Sequence, residues 1–382
     1  MLQPLHPVSP VAAANVTGNV DTLRLLRLRR GLTMQQLATS MGKQAPWVSK
    51  IEKRQLRLSP DDLARFAIAL GVPVELLGEH IPLAGSEGTH FRALKLPAKV
   101  RARAEAEGNF RAHLLTKLLD VAGQRKNHTL PCVDVRALRE GPENAARHLR
   151  EIWGIEGALA DLVPLAEHAG MFITPTPGFV STKVRGLTVQ APGFAPHTLL
   201  SREGPTDAQR LTLAHEIGHL VMDHASGPAD DKDVEDRATR FAGELLVPYE
   251  MIRGTLRRVS TSDLRPLFEL QAEWGVHPKS LVFRANRQGD IDDATAVSLY
   301  RLLNSRHRNT LAQMRSPFPI VLRAVDDLLT LLKSVGWSES HAASLLHVNI
   351  GEAADVLDGW SRVFGSSSHI APVRQLATTA RA

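Results

Sequence analysis

Residues 211–219 read Leu-Thr-Leu-Ala-His-Glu-Ile-Gly-His, an apolar, helix-forming stretch that contains the pattern His-Glu-x-x-His. On an α-helix, residues four apart lie on one face, so His215 and His219 can reach a single metal ion. Glu216 lies beside them, where its carboxylate can take a proton from metal-bound water. The stretch therefore predicts a helix that carries part of a zinc peptidase site.

The third ligand of such a site must come from elsewhere, because a catalytic zinc ion normally takes three protein ligands and one water molecule. The segment after the motif has an apolar stripe at helical spacing, formed by Ala238, Phe241, Ala242, Leu245 and Leu246. Extending this stripe back by three residues reaches Glu235, whose carboxylate would need a partner on an apolar face. We therefore predict that Glu235 is the third ligand. His224 is out of phase with His215 on a continuing helix, and Asp231 is in phase but falls in the preceding loop.

The alternative interpretation is a surface helix that carries two histidines. Thr206 and Gln209 have capping-box spacing, which predicts a helix from about residue 207 to about 223. The residues that flank the motif are apolar, and a carboxylate follows in phase at short range. These three features favour a metal site.

The same residues resemble the ImmA/IrrE family of metallopeptidases. The resemblance is carried by residues 209–219 and by the pattern Glu-x-x-Ala-x-x-Phe-Ala-x-x-Leu-Leu-x-Pro over residues 235–248. It covers about residues 140–290. It implies a gluzincin-like fold and a zinc-dependent endopeptidase activity.

This resemblance also implies the roles of the site residues. His215, His219 and Glu235 would bind one Zn²⁺ per chain, and Glu216 would be the general base. The implied substrate is a protein, often a helix-turn-helix repressor or an antitoxin-like partner, whose cleavage would relieve repression.

Two positions depart from the family pattern. Arg237 and Thr239 stand where the family commonly has glutamate and asparagine, and neither is expected to be a ligand. The sequence identifies no donor that would stabilise an oxyanion. His197, His224 and Tyr249 are conceivable donors, but a structural or exposed role explains each of them more simply.

The charge of the chain is concentrated in one place. The net charge is only +6, but nine basic residues and one acid, Glu52, lie between residues 24 and 57. The basic residues are Arg24, Arg27, Arg29, Arg30, Lys43, Lys50, Lys53, Arg54 and Arg57. A basic block in a balanced protein predicts a contact with a polyanion.

The same region has the capping and turn residues that begin and end short helices. Thr33 and Gln36 have capping-box spacing, and Ser59 precedes a proline at the first helical position. Gly42 permits a tight turn, and Gly71 ends the helix that Ser59 begins. Residues 21–80 resemble the XRE/Cro helix-turn-helix family, which implies five helices and binding to double-stranded DNA.

In that fold, the helix over about residues 44–53 enters the major groove. The candidates for base or groove contact are Gln44, Ala45, Trp47, Ser49 and Lys50, and the candidates for phosphate contact are Gln35, Arg29, Lys53 and Arg57. Trp47 is bulky for a position that faces the groove. The alternative is that its ring packs against the sugar-phosphate backbone of the DNA or against the protein core. Arg54 stands where the family often has glycine.

Short apolar segments at 171–174, 186–189 and 198–200 predict strands between helical segments. The predicted fold is mainly α with an α+β peptidase core. The predicted divisions are a tail at 1–20, the helix-turn-helix domain at 21–80, a helical connector at 81–142, the peptidase domain at 143–290, a C-terminal helical region at 291–364 and a tail at 365–382.

The composition indicates in which cellular compartment the protein is expected. Cys132 is the only cysteine, which excludes an internal disulfide framework and fits a reducing compartment. No apolar run is long enough to span a bilayer, and the N-terminus lacks a secretory hydrophobic segment. We expect a cytoplasmic protein without a membrane partner, and a homodimer is a reasonable default for this type of DNA-binding module.

Two other functions stay open. In the first, the protein is a transcription factor whose peptidase-like domain senses a ligand or binds a partner without cutting it. In the second, weaker one, it is an interaction scaffold. Residues 264–289 have helix-turn-helix-like spacing, which we interpret as helices that complete the peptidase domain. The later helices could serve as a dimer interface, a sensor or a docking surface.

Overall fold

The computed structural model describes residues 16–84, 89–93, 96–124, 129–134, 141–180, 183–191, 193–222, 232–313 and 316–365. Most of both predicted tails lies outside this part of the chain, as do His224 and Asp231. The described chain begins with five helices: α1 (Val20–Arg29), α2 (Met34–Ser40), α3 (Ala45–Glu52), α4 (Pro60–Leu70) and α5 (Val74–Gly78).

The predicted helix signals of this region are confirmed. The Thr33 side chain accepts from the Gln36 backbone N–H, and the Gln36 side chain bonds back to the Thr33 N–H. Ser59 caps α4 in the same way, with Pro60 as its first residue. Gly42 and Gly71 have φ of 68° and 68°, a left-handed conformation that glycine adopts without strain.

A long helix and a small sheet follow. Their elements are β1 (Thr89–Ala93), α6 (Ala98–Val121), α7 (Gly141–Ile152), α8 (Leu162–His168), β2 (Phe172–Pro175), β3 (Val184–Val189) and β4 (His197–Leu200). The strand order is β1-β3-β4-β2, with β2 and β4 parallel and the other pairs antiparallel. The mainly α fold with an α+β core is confirmed. The three predicted strands form, whereas β1 lies in the stretch read as a helical connector.

The remaining helices are α9 (Thr206–Val221), α10 (Lys232–Leu246), α11 (Tyr249–Leu256), α12 (Arg265–Trp274), α13 (Pro278–Arg287), α14 (Asp293–Ser305), α15 (Arg308–Gln313), α16 (Ala324–Ser334), α17 (Glu339–Leu345), α18 (Ile350–Val356) and α19 (Trp360–Phe364). The predicted capping box of the motif helix is wrong. Pro205 is the N-cap of α9, and the Gln209 amide instead donates to the carbonyls of Arg202 and Gly204.

Two large groups of buried side chains organise these elements. One core lies among α7–α14 and includes Leu213 on α9 and Phe241 on α10. A second core joins α1–α5, α6 and α16–α19, with Leu23, Phe110 and Trp360 fully buried in it. The C-terminal helices therefore pack with the N-terminal ones, although some 250 residues separate them along the chain. Within the described residues, no helix has both the length and the hydropathy that a membrane span requires.

Candidate metal centre and nucleic-acid interface

The motif helix α9 is buried over most of its length between α10 on one side and the sheet on the other. His215 and His219 are 1% and 3% exposed. Gly218 explains how α10 comes so close, because a Cβ at this position would lie 2.9 Å from Cδ1 of Phe241. The motif therefore contributes the two histidines to the site, and its glycine allows the two helices to pack closely.

The two histidines and Glu235 converge on one point. Their Nε2 atoms lie 3.1 Å apart, and the Glu235 carboxylate oxygens lie 3.2 Å from His215 Nε2 and 3.3 Å from His219 Nε2. Three potential ligand atoms all lie within 4.8 Å of one another. The structure therefore brings the three predicted ligands together from α9 and the first turn of α10.

These distances fit a bound zinc ion. Bonds of roughly 2.0–2.1 Å in a tetrahedral site place neighbouring ligand atoms about 3.3–3.4 Å apart. The three observed separations of 3.1, 3.2 and 3.3 Å are close to this value. Two imidazoles and one carboxylate are also the ligand types of a catalytic zinc site, so the residues present fit the ion in chemistry and in spacing.

The Glu235 carboxyl is ionised at neutral pH. Burial of this side chain opposes its ionisation, but hydrogen bonds from His215 and His219 outweigh burial and lower its pKa to about 2. A deprotonated carboxylate is the form that can bind a metal ion.

Two residues that the sequence analysis did not assign support the histidines. Thr239 lies one turn after Glu235, and its hydroxyl is 3.4 Å from His215 Nδ1. When Nδ1 donates to this hydroxyl, Nε2 carries no proton and can bind a metal ion in place of its hydrogen bond to Glu235. His90 on β1 stacks on His219, with ring centroids 4.5 Å apart and planes within 9°. The helical spacing of Thr239 from Glu235 could have indicated its place, whereas no local signal connects His90 to the motif.

Glu216 is fully buried and is oriented by the sheet. Thr188 on β3 donates to its Oε2 at 2.7 Å, and Thr198 on β4 is 2.9 Å from the Thr188 hydroxyl. Gly186 lies two residues before Thr188, on the same face of β3, where a Cβ would be 2.6 Å from Glu216 Oε1. A glycine at this point in β3 therefore makes room for the carboxylate.

Two residues considered as oxyanion donors have structural contacts elsewhere. His197 is buried and its Nε2 pairs with the Thr174 hydroxyl at 2.9 Å. Burial, and then the nearby charge of Arg111, lower the pKa of His197 to about 3, so this imidazole is neutral. The Tyr249 hydroxyl donates to Asp290 at 2.7 Å. The simpler structural interpretation fits both residues.

The helix-turn-helix domain exposes most of the residues predicted to contact DNA. Five of them are exposed: Gln35 on α2, Gln44 just before α3, Lys50 on α3, and Lys53 and Arg57 after α3. Ala45 and Ser49 are half-buried on α3. Trp47 stacks on Phe66 of α4, with centroids 5.5 Å apart, and is half-buried. Its ring therefore contributes to the core, in line with the alternative interpretation.

Part of the basic block is neutralised within the protein. The prediction that Arg29 contacts phosphate is wrong, because this side chain is 4% exposed and pairs with Glu107 and Glu352. Other members also pair with acids: Arg27 with Glu52, Arg30 with Glu352, and Arg54 with Asp21. The number of charges in the sequence does not show which arginines pair with acids in the fold and which cations stay exposed.

Two family models match the chain. A helix-turn-helix domain matches residues 20–79, and the IrrE N-terminal-like domain, a peptidase family, matches residues 167–286. The searches of curated proteins and of solved structures found no significant match. The chain therefore joins a DNA-binding helix-turn-helix domain to an IrrE-like domain, as the sequence motifs predicted.

Proposed function

We propose that this DNA-binding regulator is also a zinc-dependent endopeptidase, which cleaves a helix-turn-helix repressor or an antitoxin-like partner and so relieves repression. The observation that carries the proposal is the convergence of His215, His219 and Glu235 at 3.1–3.3 Å. The match of residues 167–286 to a peptidase family supports it.

We propose that His215, His219 and Glu235 hold one zinc ion. When bound, the ion would lower the pKa of a water molecule and polarise a peptide carbonyl. Glu216 would accept the proton from that water and pass it to the leaving amine. Thr188 would keep the Glu216 carboxylate in place for both transfers, since its hydroxyl donates to Oε2.

We further propose that a protein substrate docks beside this site. Strand β1 lies at one edge of the sheet, packs against α9 and carries His90, which stacks on His219. An extended peptide can add to an exposed sheet edge through main-chain hydrogen bonds. Such pairing would place the peptide backbone along α9, as an endopeptidase that cuts within a chain requires.

The decisive experiment compares the wild-type protein with Glu216→Gln. Zinc content would be measured by mass spectrometry, and cleavage would be measured on a proteome-derived peptide library and on a repressor encoded beside this gene. We expect about one zinc ion per chain in both proteins and cleavage by the wild type alone. Equal cleavage by both proteins would rule out the proposed mechanism.

For DNA binding, we propose contacts through the face of α2 and α3. The residues are Gln35, Gln44, Ala45, Trp47, Ser49, Lys50, Lys53 and Arg57, with Trp47 limited by its packing to the exposed edge of its ring. Five of these residues are exposed. Four cations of the basic block form the ion pairs described above, and the other five are Arg24, Lys43, Lys50, Lys53 and Arg57. We further propose that the protein acts in the cytoplasm, where its DNA target is found, and that it can form a homodimer.

A second candidate function is ligand sensing without proteolysis. One specific feature favours it: a cavity of about 220 Å³ lies between α10, α13 and α14. Its lining includes Thr239, which contacts His215, together with apolar side chains and Lys279. A small molecule bound there would reach the metal site through Thr239.

The two functions are distinguished by a transcription assay. If transcription from a target promoter is the same in the wild type and Glu216→Gln, but is lost when Lys50 and Arg57 are replaced, sensing without cleavage is favoured. If Glu216→Gln keeps the promoter repressed under inducing conditions, the endopeptidase is favoured.

A further inference from the structure

The C-terminal helices repeat the helical pattern of the DNA-binding domain. Helix α2 begins at Met34 and α17 begins at Glu339, which is 305 residues later. Helices α3 and α18 begin at Ala45 and Ile350, again 305 residues apart. The two N-cap residues keep the same offset, since Thr33 caps α2 and Ser338 caps α17, each through its side-chain oxygen.

The turn between the paired helices is also the same. In the first unit, Gly42 N–H donates to Thr39 O at 3.1 Å and Lys43 N–H to Ala38 O at 2.8 Å. In the second unit, His347 N–H donates to Ser344 O at 3.1 Å and Val348 N–H to Ala343 O at 3.1 Å. Gly42 and His347 share a left-handed conformation, with φ of 68° and 50°. A non-glycine residue at this φ is uncommon, so the turn geometry is imposed by the surrounding fold.

The buried positions coincide as well. The positions that hold α2 and α3 together are occupied by Leu37, Ala38, Met41, Val48 and Ile51, and all are buried. At the same offset stand Ala342, Ala343, Leu346, Ala353 and Val356, and all of these are buried too. Spacing, capping, turn and core agree, so residues 324–364 have the architecture of a helix-turn-helix unit.

The outward face of the second unit has the opposite charge. Where α3 and the residue after it carry Lys50 and Lys53, the corresponding positions of the second unit are Asp355 and Asp358. Trp47 corresponds to Glu352. Phosphate groups would repel these carboxylates, so this face is unsuited to DNA.

The acidic face instead binds arginines of the same chain. Glu352 is 7% exposed and pairs with Arg29 and with Arg30, the latter at 2.5 Å. Asp358 pairs with Arg202 at 3.0 Å, beside the peptidase-like sheet. The Asp355 carbonyl accepts from Arg111 of α6 at 3.0 Å. Guanidinium groups thus contact the face that corresponds to the proposed DNA-binding face of the first unit.

We propose that residues 324–364 are a second helix-turn-helix unit whose recognition helix, α18, binds an arginine-bearing protein surface in place of DNA. The surface consists of α1, α6 and Arg202 of this chain. The proposal rests on the DNA-binding domain at residues 20–79 and is independent of zinc and of proteolysis.

The docked unit leaves the DNA-reading helix accessible. It meets the first unit at α1, through Glu352, and at the end of α5, where His347 contacts Glu79. Lys50 and Lys53 stay exposed. The second unit therefore fixes the first against α6 and the rest of the molecule without covering its DNA face.

We expect that the second unit does not bind DNA. Replacing one arginine in each unit, at equivalent positions, tests this. Arg57 follows α3, and Arg362 stands at the equivalent position of the second unit. Both are exposed, and Arg362 also pairs with Asp326 and Asp358. Binding of the full chain to a mixed-sequence duplex of about three helical turns would be measured over a range of salt concentrations. We expect Arg57→Ala to weaken binding and to reduce the salt slope by about one, and Arg362→Ala to change neither. An equal loss in both variants would show that the second unit also binds DNA and would overturn the proposal.

The docking contact is tested by hydrogen exchange on the full chain. Glu352→Lys places a cation against Arg29 and Arg30, so we expect faster exchange in α16–α19 and in α1, with unchanged protection of α9. Glu352→Gln keeps the shape and should give the same pattern to a smaller extent. Glu273→Lys, at an exposed acid on α12, is the matched control and should have no effect. Unchanged exchange in α16–α19 of both Glu352 variants would refute the docking role.

Discussion

At the residue scale, each group of the candidate site is held by a neighbour of a different kind. The Thr188 hydroxyl on β3 donates to Glu216, and Gly186 leaves room for this carboxylate. The Thr239 hydroxyl on α10 contacts His215, and an imidazole of β1 stacks on His219. Fixed side chains are what precise chemistry requires, since small displacements of reacting groups are costly. These neighbours can be altered without touching a ligand.

The first prediction concerns Gly186. Its replacement by alanine would put a methyl group 2.6 Å from Glu216 Oε1 and 2.7 Å from Thr212 Cγ2, so the carboxylate must move. We expect zinc content to be unchanged and cleavage of the peptide library to fall by roughly a hundredfold. Gly254→Ala is the control, because its Cβ would meet open space. Full activity in Gly186→Ala would contradict the role assigned to Glu216.

The second prediction concerns Thr239. Thr239→Val keeps the volume of the side chain but removes the acceptor 3.4 Å from His215 Nδ1. We expect zinc affinity, measured by competition with a chelator, to fall by about ten- to a hundredfold. Thr239→Ser retains the hydroxyl and should restore most of the affinity. Equal affinities of the valine and serine variants would mean that this contact does not orient His215.

At the element scale, the DNA-binding domain depends on one buried ion pair between α1 and α3. Arg27 donates to both carboxylate oxygens of Glu52, at 2.5 and 2.8 Å, and also to the Leu32 carbonyl. Both side chains are less than a tenth exposed. The pair fixes α3 relative to α1, the first helix of the domain.

The third prediction follows from this burial. Arg27→Met leaves the Glu52 carboxylate buried without its partner, so we expect the free energy of unfolding to fall by about 3–5 kcal/mol. The double variant Arg27→Met with Glu52→Leu removes both charges and should recover most of the loss. Denaturant unfolding of the three proteins provides the test. A double variant as unstable as the single one would show that the charge is not the cause.

The local sequence was sufficient to predict these elements but not their pairing. Caps at Thr33 and Ser59 and the glycines of the turns marked the helices, because capping and positive φ are local properties. The partners of the arginines in α1 come from residues 52, 107 and 352, and no local pattern connects such distant positions. The basic block was therefore recognised, but the buried Arg29 was mistaken for a DNA contact.

At the scale of the whole molecule, α6 connects the parts of the protein. It packs against α1 on one side and against β3 and β4 on the other, and it shares a core with α16–α19. Glu107 on this helix is fully buried and receives Arg29 at 2.7 Å and Arg111 at 2.6 Å. This carboxylate thus helps to hold the DNA-binding domain against the body of the protein.

The fourth prediction is the response of this contact to acid. Burial opposes ionisation of Glu107, but the charges of Arg29 and Arg111 outweigh it and lower its pKa from 4.5 to about 2. Because the folded-state pKa is the lower one, the stabilisation is complete above about pH 4.5 and is lost as the pH falls toward 2. Glu107→Gln should be less stable at pH 7 and should lose less stability on acidification. Thermal unfolding from pH 7 to pH 2 measures both, and parallel curves for the two proteins would refute the assignment.

The sequence by itself determined most of the helices, the His-Glu-x-x-His pattern and the convergence of Glu235 with its two histidines, since helical phase is set by residue spacing along one chain. It also determined the helix-turn-helix domain, whose caps and turns are local. Only the tertiary structure decided that β1 supports the site, that Thr188 and Gly186 position Glu216, and that the C-terminal helices dock on α1 with an acidic face. The reason is physical: these contacts join residues that are far apart in the chain, and they form only when the cores bring distant segments into register.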